Sequence, residues 1–269
     1  MSSIVLASLH IAFLSLLLSF QASAQTPDTV FLEELTWTEL RDQIRSGKTT
    51  ILVPIGGTEQ NGPHMALGKH NVRVKALSAA IARGLGNALV APVIAYVPEG
   101  AVSPPTSHMR FPGTITVPDA SFAQILESAA RSFKAHGFKD IVFLGDHEGY
   151  QNIEKSVAER LNREWAATPV RAHAIVEYYR AGASEYAQEL KSRGYSQQEI
   201  GTHAGLADTS LSLAVDPHLV RADAMPAPPD PAAGVYGDPR RASAAVGQIG
   251  VDLIVAKSVA AIHAATVRR

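Results

Sequence analysis

The feature that most constrains the fold is an alternation of short apolar runs with helix-like segments along most of the chain. Runs such as TTILVPIGG and KDIVFLGDHEG have the length of strands and end in glycine. Between them, segments such as NVRVKALSAAIARGLG place apolar residues at three- and four-residue spacing, as amphipathic helices do. Strands that alternate with helices form βαβ units. The sequence therefore predicts an α/β fold in layers, with a mostly parallel sheet and helices on both faces.

Several element boundaries follow from the same pattern. We expect the first helix to begin at Thr36 or Thr38, which are good N-cap residues. A later helix is expected to be capped by Asp119 or Ser121. Strands are expected around residues 114–117 and over VRAHAIVEYY, and a last helix over roughly residues 243–263.

The first residues are typical of an export signal. An apolar stretch is followed by Ala22, Ser23 and Ala24, a small-x-small cleavage pattern. An uncleaved membrane anchor is the alternative, because no Lys or Arg precedes the apolar stretch. We predict a signal peptide over residues 1–24 and a single domain over residues 25–269, located in the periplasm or outside the cell. No later segment is expected to reach transmembrane length, so the mature form is predicted to have no membrane contact.

Composition limits the chemistry. The chain has 24 Lys and Arg against 25 Asp and Glu, a formal net charge of -1, and no basic run that would attract nucleic acid. Cysteine is absent, which excludes disulfides, thiolate nucleophiles and cysteine-ligated metals. Any transition-metal site must therefore use His, Asp, Glu and neutral oxygen ligands.

Polar clusters follow apolar runs at three places in the chain. They are Glu59, Asn61, His64 and His70; Asp146, His147 and Glu148; and His203 and Asp208. The carboxyl ends of parallel strands share one edge of a sheet, so we expect these clusters to converge. One Glu and two His form a sound ligand set for zinc, or for manganese or iron, with room for water. The predicted ligands are Glu59, His70 and His147.

Simpler structural roles are open for three of the acidic residues. Glu148 suits the first turn of a following helix, where acids are favoured. Asp208 stands just before Thr209 and Ser210 and suits an N-cap. Asp146 suits a turn, or a role in orienting a neighbouring histidine.

Five ordered segments resemble motifs of the creatininase (creatinine amidohydrolase) family. They are PIGGTEQNGPHMALGKHN, SHMRFPGTITV, FLGDHEGYQN, THAGLADTSLSL and GVYGDPRRAS. The resemblance covers nearly all of the chain after the leader. It implies a layered α/β fold, often assembled as a hexamer, with a divalent metal site that hydrolyses a C–N bond.

The resemblance also assigns residues. Glu59 and His147 match metal ligands of the family, and His203 matches a histidine that transfers protons near the substrate. Asp208 replaces a glutamate of the family pattern.

Three departures from the family pattern bear on the metal count. Asn61 stands where the family has a histidine ligand of a second metal, and His70 where it has an aspartate that bridges both metals. Gly149 stands where creatininases proper have a further glutamate ligand. A neutral imidazole cannot bridge two cations as a carboxylate does. One divalent ion is therefore expected, zinc ahead of manganese or iron.

The predicted function is hydrolysis of a C–N bond in a small linear or cyclic amide, with metal-bound water as the nucleophile. His203 is the predicted general acid, and Asp208 or Glu148 would orient or deprotonate the water. The predicted substrate contacts are His64, His108, Asn61 and Tyr150. A lactone or ester hydrolase and a non-catalytic binding protein are the alternatives. The expected partners are a small-molecule substrate and further copies of the chain in a homo-oligomer.

Overall fold

The computed structural model describes residues 27–226 and 230–267, and the predicted signal peptide lies outside these ranges. The centre of the fold is a four-stranded sheet in the order β2–β1–β3–β4. Its strands are β1 (Thr50–Ile55), β2 (Ala88–Val90), β3 (Asp140–Gly145) and β4 (Arg171–Ala174). All three pairings are parallel, which confirms the predicted sheet.

Helices connect and cover the strands. In the described part of the chain the α-helices are α1 (Trp37–Arg45), α2 (Lys69–Leu85), α3 (Asp119–Ala135), α4 (Gln151–Glu164), α5 (Val176–Arg180), α6 (Tyr186–Ser192), α7 (Gln197–Ile200), α8 (Leu206–Val215) and α9 (Ala244–Val267). Thr36 caps α1, as one of the two alternatives predicted. Its side chain accepts the N–H of Glu39, and the Glu39 side chain accepts the N–H of Thr36 in return.

The core lies on both faces of the sheet, because β1 and β3 are buried along their whole length. Leu52 and Val142 point to one face, where α2, α8 and α9 supply the packing partners. Ile51 and Phe143 point to the other, where α3 and α4 pack. Helices on both faces are thus confirmed.

Three of the predictions about individual elements are wrong: one strand, the extent of another strand, and one helix N-cap. Residues 114–117 form no strand, because their backbone bonds go to scattered partners: Ile115 donates to the Thr58 carbonyl at 2.9 Å and Val117 to the Val97 carbonyl at 3.2 Å. In VRAHAIVEYY the strand ends early, and α5 takes up the second half of the segment. The N-cap of α3 is Pro118 rather than Asp119 or Ser121.

Helix α9 differs from the expectation that no later segment reaches transmembrane length. Its 24 residues are long and apolar enough to cross a membrane by length and composition. A helix packed on the body of a domain can have the same composition, and Ile254 and Ile262 are buried in the core. At Gly247 a Cβ would lie 1.8 Å from the Ser210 carbonyl oxygen, so glycine allows α9 to approach α8 closely. By itself, α9 does not indicate a membrane span.

Candidate metal centre

The carboxyl edge of the sheet opens into a cavity of about 800 Å³. Its lining includes residues of all three polar clusters, namely His70, Asp146, His147, Glu148, His203 and Asp208, together with His108. The volume suits a small organic molecule. Parallel topology therefore brings together side chains that are far apart in sequence.

The carboxylate of Glu59 lies at the centre of four imidazoles. It is fully buried. Its Oε2 atom is 3.1 Å from Nε2 of His108 and 3.4 Å from Nε2 of His147. Its Oε1 atom is 2.8 Å from Nε2 of His70 and 3.9 Å from Nδ1 of His203. The two carboxylate oxygens thus face different pairs of histidines.

The surroundings of Glu59 favour its charged form. Burial alone would raise the pKa of this carboxyl group. The electrostatic interaction and hydrogen bond with His70, followed by the charge of Lys69, outweigh burial and hold the pKa of Glu59 well below its usual value.

A second carboxyl group, that of Glu99, faces Glu59. It comes from the loop after β2, is 3% exposed, and places Oε2 at 3.8 Å from Nε2 of His147. Within the described ranges, Oε2 of Glu59 and both side-chain oxygens of Glu99 accept no hydrogen bond from an N–H or hydroxyl group, and a proton on Glu99 would form its hydrogen bond with Glu59. Burial, followed by the charge of Glu59, raises the pKa of Glu99 to about 9. Two carboxyl groups placed in this way need either a proton or a cation between them.

Glu59, Glu99, His108 and His147 form what we call the ligand group. Each offers one ligand atom, and these atoms all lie within 4.8 Å of one another. Burial lowers the pKa of His108, and it lowers that of His147 to about 4. Both imidazoles are therefore neutral at neutral pH, which is the form that binds metals. Two carboxylates and two imidazoles suit a divalent ion such as zinc.

His70, a predicted ligand, lies beside this group. Its Nδ1 atom is 2.6 Å from Oδ2 of Asp146, while its Nε2 atom is the one that faces Glu59. Both ring nitrogens of His70 are therefore within hydrogen-bond distance of a carboxylate.

Behind His70 lie four residues that we call the paired network: Lys69, Arg73, Asp146 and Asp208. Arg73 donates to Asp146 at 2.8 Å and to Asp208 at 2.7 Å, and Lys69 donates to Asp208 as well. Burial would raise the pKa of each acid. At Asp146 the effect of burial is outweighed by Arg73 and then by His70, so the pKa of Asp146 is lowered. At Asp208 it is outweighed by Lys69 and then by Arg73, so the pKa of Asp208 is lowered as well.

His203 also lines the cavity. Its Nε2 atom is 3.0 Å from the backbone oxygen of Gln60 and 3.1 Å from the nitrogen of the Gln60 side chain. Burial, and then the charge of Lys69, lower the pKa of His203 to about 3. His203 is therefore neutral at neutral pH.

Three of the four predicted substrate contacts do not line the cavity. Asn61 is buried and donates to the backbone carbonyl of Glu59 at 2.9 Å, so it fixes the loop that carries this residue. The buried Tyr150 hydroxyl donates to the backbone carbonyl of Gly56 at 2.6 Å. His64 is buried as well. Asn61 and Tyr150 thus hold backbone carbonyls of the loop after β1, while Nε2 of His64 lies 3.0 Å from Oγ1 of Thr209.

Sequence reasoning missed three charged residues of this region. Glu99 was overlooked, although it directly follows the apolar run ALVAPVIAYV and one proline. No role was predicted for Lys69, which precedes the predicted helix, or for Arg73 within it, yet they are only 1% and 6% exposed. Their four-residue spacing places them on the same face of α2, and this was the available signal.

Comparison with known proteins gives a consistent result. The family described as Creatininase: Creatinine amidohydrolase matches residues 33–262. The chain is 28% identical over 200 residues to a creatinine amidohydrolase of Pseudomonas putida, covering 72% of this chain and 75% of that protein. It is 28% identical over 191 residues to a mycofactocin precursor peptide peptidase of Mycolicibacterium smegmatis, covering 68% and 64%. It is 24% identical over 207 residues to a 3-dehydro-scyllo-inosose hydrolase of Thermotoga maritima, covering 73% and 59%.

Solved structures agree with this. A crystal structure of creatinine amidohydrolase (creatininase) is similar with a TM-score of 0.76 at 24% identity, covering 89% of this chain and 99% of that one. A structure described as creatininase Mn is similar with a TM-score of 0.73 at 25% identity, covering 88% and 99%. Together with the family match over residues 33–262, these similarities show that the chain belongs to the creatininase family of hydrolases.

Proposed function

We propose that this protein is a metal-dependent hydrolase that cleaves the C–N bond of a small amide. The observation that carries the proposal is the ligand group, in which two buried carboxyl groups lacking donors in the described region face two neutral imidazoles. This group lies beside a cavity of about 800 Å³. Two of the relatives, a creatinine amidohydrolase and a peptide peptidase, are named for hydrolysis of C–N bonds.

The residues present fit a divalent ion. Glu59 and His147 belong to the ligand group and are also two of the three ligands predicted from sequence. Carboxylate and imidazole donors favour zinc, with manganese and iron as the other candidates. An ion of this kind acidifies water and polarises a carbonyl oxygen, which is the chemistry that hydrolysis of an amide requires.

His203 is proposed to move the proton. Because the pKa of His203 is about 3, its imidazole would begin the reaction neutral. Its Nε2 atom is engaged by the backbone oxygen of Gln60, which leaves Nδ1 for proton transfer. In this role the ring accepts a proton from the attacking water and then donates it to the leaving nitrogen.

The two predicted acids are proposed to act differently. Both oxygens of Asp208 are engaged by Arg73 and Lys69, so this residue would position those cations. Glu148 lines the cavity with an exposed side chain and is the better candidate for orienting water.

A metal-replacement assay tests the function. Protein treated with a chelator, and the same protein reloaded with zinc, manganese or iron, would be assayed against creatinine, a linear amide, a short peptide and a lactone. We expect amide hydrolysis to be lost with the metal and restored by one of the three ions. Full activity after metal removal would contradict the proposal. Hydrolysis of the lactone alone would favour an esterase, and bound zinc without any hydrolysis would favour a binding protein.

Location and assembly are further proposals. From the leader we propose that the protein is periplasmic or secreted. From the family resemblance we propose that it forms a homo-oligomer, namely a hexamer. The mass of the protein recovered from the periplasm should correspond to cleavage near Ala24, and light scattering should give a multiple of the chain mass.

A further inference from the structure

We propose that Glu99 and His108 complete the coordination of a single divalent ion held by Glu59 and His147, and that His70 stays outside it as a positioning residue. This inference deepens the proposed function and shares with it the premise that the site holds a divalent ion. It assigns a ligand role to Glu99, which the sequence motifs did not single out, and to His108, which was predicted to contact the substrate.

The carboxyl group of Glu99 is held in place on two sides. Its loop is fixed where the backbone N–H of Glu99 donates to Oγ1 of Thr116 at 2.9 Å. The other side of the carboxyl group is fitted closely against Gly57, where φ is +152° and a Cβ would lie 2.7 Å from Oε1 of Glu99. The group is thus held in place and buried, yet no donor in the described region reaches its oxygens. Burying such a group is costly unless something else satisfies it.

The ring of His108 is oriented by contacts with neighbouring loop residues. Its Nδ1 atom is 3.1 Å from the side-chain amide nitrogen of Gln60, and its backbone carbonyl accepts from Oγ1 of Thr114 at 2.9 Å. These contacts direct Nε2 toward Oε2 of Glu59. Ligation through Nε2 places the ring proton on Nδ1, so the Gln60 amide would exchange its present contact, in which Oε1 accepts the Gly62 N–H at 2.9 Å, for one in which Oε1 faces Nδ1 of His108. A second-layer group of this kind commonly orients a histidine ligand.

The two carboxylate oxygens of Glu59 contact different histidines, and these histidines have different proposed roles. Oε1 receives His70 at 2.8 Å and has Lys69 at 4.0 Å. Oε2 faces His108 and His147 and is the oxygen without a hydrogen bond in the described residues. An ion bound at Oε2 would use the open side of the carboxylate and leave the contact with His70 intact.

The paired network argues for one ion rather than two. The ammonium group of Lys69 lies between Oε1 of Glu59 and the carboxylate of Asp208, and its side chain is 1% exposed. A second divalent ion on that side of Glu59 would meet this positive charge at short range, with little water to screen it. Lys69 therefore occupies the place that a second cation would need.

Zinc titration of glutamine variants tests the role of Glu99. Purified protein, stripped by a chelator, would be titrated with zinc against a competing dye. We expect one zinc per wild-type chain and an affinity at least about tenfold lower in E99Q, since even outer-shell changes commonly cost 10- to 100-fold. The matched control is E154Q, because Glu154 is also buried with an oxygen lacking a partner in the described region but lies outside the ligand group. It should leave zinc affinity unchanged.

A thermal measurement separates ligation from a structural role. In stripped protein, E99Q should be at least as stable as wild type, because a neutral amide of the same size replaces a buried carboxyl group that faces a second one. In excess zinc the order should reverse, because only wild type gains the full stabilisation from binding. A variant that is equally weakened with and without zinc would overturn the assignment.

X-ray absorption at the zinc edge tests the histidines. Wild type should show two imidazoles per zinc, H108Q one, and H70Q two. Loss of an imidazole in H70Q but not in H108Q would overturn the inference, as would two tightly bound zinc ions per chain or none. The expected ligand set without hydrolysis of any substrate would refute the proposed function and leave this inference standing.

Discussion

The ligand group and the paired network are neighbours and are similarly buried. They differ in whether other residues of the chain donate hydrogen bonds to their carboxyl oxygens. In the paired network both oxygens of each aspartate meet a donor: Arg73 and Tyr178 at Asp146, and Arg73 and Lys69 at Asp208. In the ligand group, within the described chain, three carboxyl oxygens face imidazoles and one another without a hydrogen bond. The aspartates of the first region are paired by the chain's own residues, and we propose that a divalent ion completes the second region. We expect this difference between a structural ion-pair network and a binding site.

The largest effect is expected from a change inside the ligand group. Replacing His147 by Ala should remove both metal and activity, because His147 belongs to the ligand group and to the ligand set predicted from sequence. Metal content by elemental analysis and turnover of the best amide substrate are the two measurements. The surface variant H218Q, at a side chain that is 94% exposed, serves as the control. Full metal content in H147A would refute the role of His147 as a ligand.

Breaking the paired network should instead cost stability. In R73M, Asp146 and Asp208 lose the guanidinium that bridges them. Removing one partner of a buried ion pair typically costs about 3–5 kcal/mol, which denaturant unfolding would detect. The folded variant should still bind one zinc per chain at saturation. Loss of zinc without loss of stability would erase the distinction between the two regions.

The unfolding free energy of the metal-free protein should depend on pH through the carboxyl group of Glu99. The pKa of Glu99 is raised from 4.5 to about 9 in the folded protein, so its stabilising contribution is complete below pH 4.5 and is lost as the pH rises toward 9. One such group gives a slope of at most about 1.4 kcal/mol per pH unit. Unfolding free energies between pH 6 and 8 should fall in wild type and fall less in E99Q. Equal slopes would contradict the raised pKa of Glu99.

The smallest effect is expected where the paired network keeps most of its contacts. In Y178F, Asp146 loses the hydroxyl that donates to Oδ1 at 2.8 Å and retains its contacts with Arg73 and His70. A lost hydrogen bond to a buried acceptor costs about 1–3 kcal/mol. Chemical denaturation should show this loss with zinc affinity unchanged. A large drop in zinc affinity would mean that the two regions are coupled.

Apolar periodicity in the sequence correctly predicts the strands and helices whose burial depends on that periodicity. The buried runs at β1 and β3 and the spacing on α2 predict a parallel sheet with helices on both faces, because apolar periodicity directly determines which residues are buried. The segment 114–117 has the composition of a strand, but its partners are fixed by loops elsewhere in the chain. Pairing of that kind is a tertiary property.

The site shows the same limit. Glu59, His147 and His203 stand in motifs at strand or helix ends, so sequence alone could identify them. Glu99 reaches them only because its loop folds back between Thr116 and Gly57, which no local pattern reveals. The burial of Lys69 is likewise hidden, since a lysine at the start of a helix is ordinarily exposed.

Anomalous diffraction at the zinc edge, from crystals grown with zinc, would locate the ion and its ligands. We expect one peak per chain at about 2.0–2.2 Å from the ligand atoms of Glu59, Glu99, His108 and His147. A peak bound by His70 in place of His108, or a second peak between Glu59 and Asp208, would contradict this expectation.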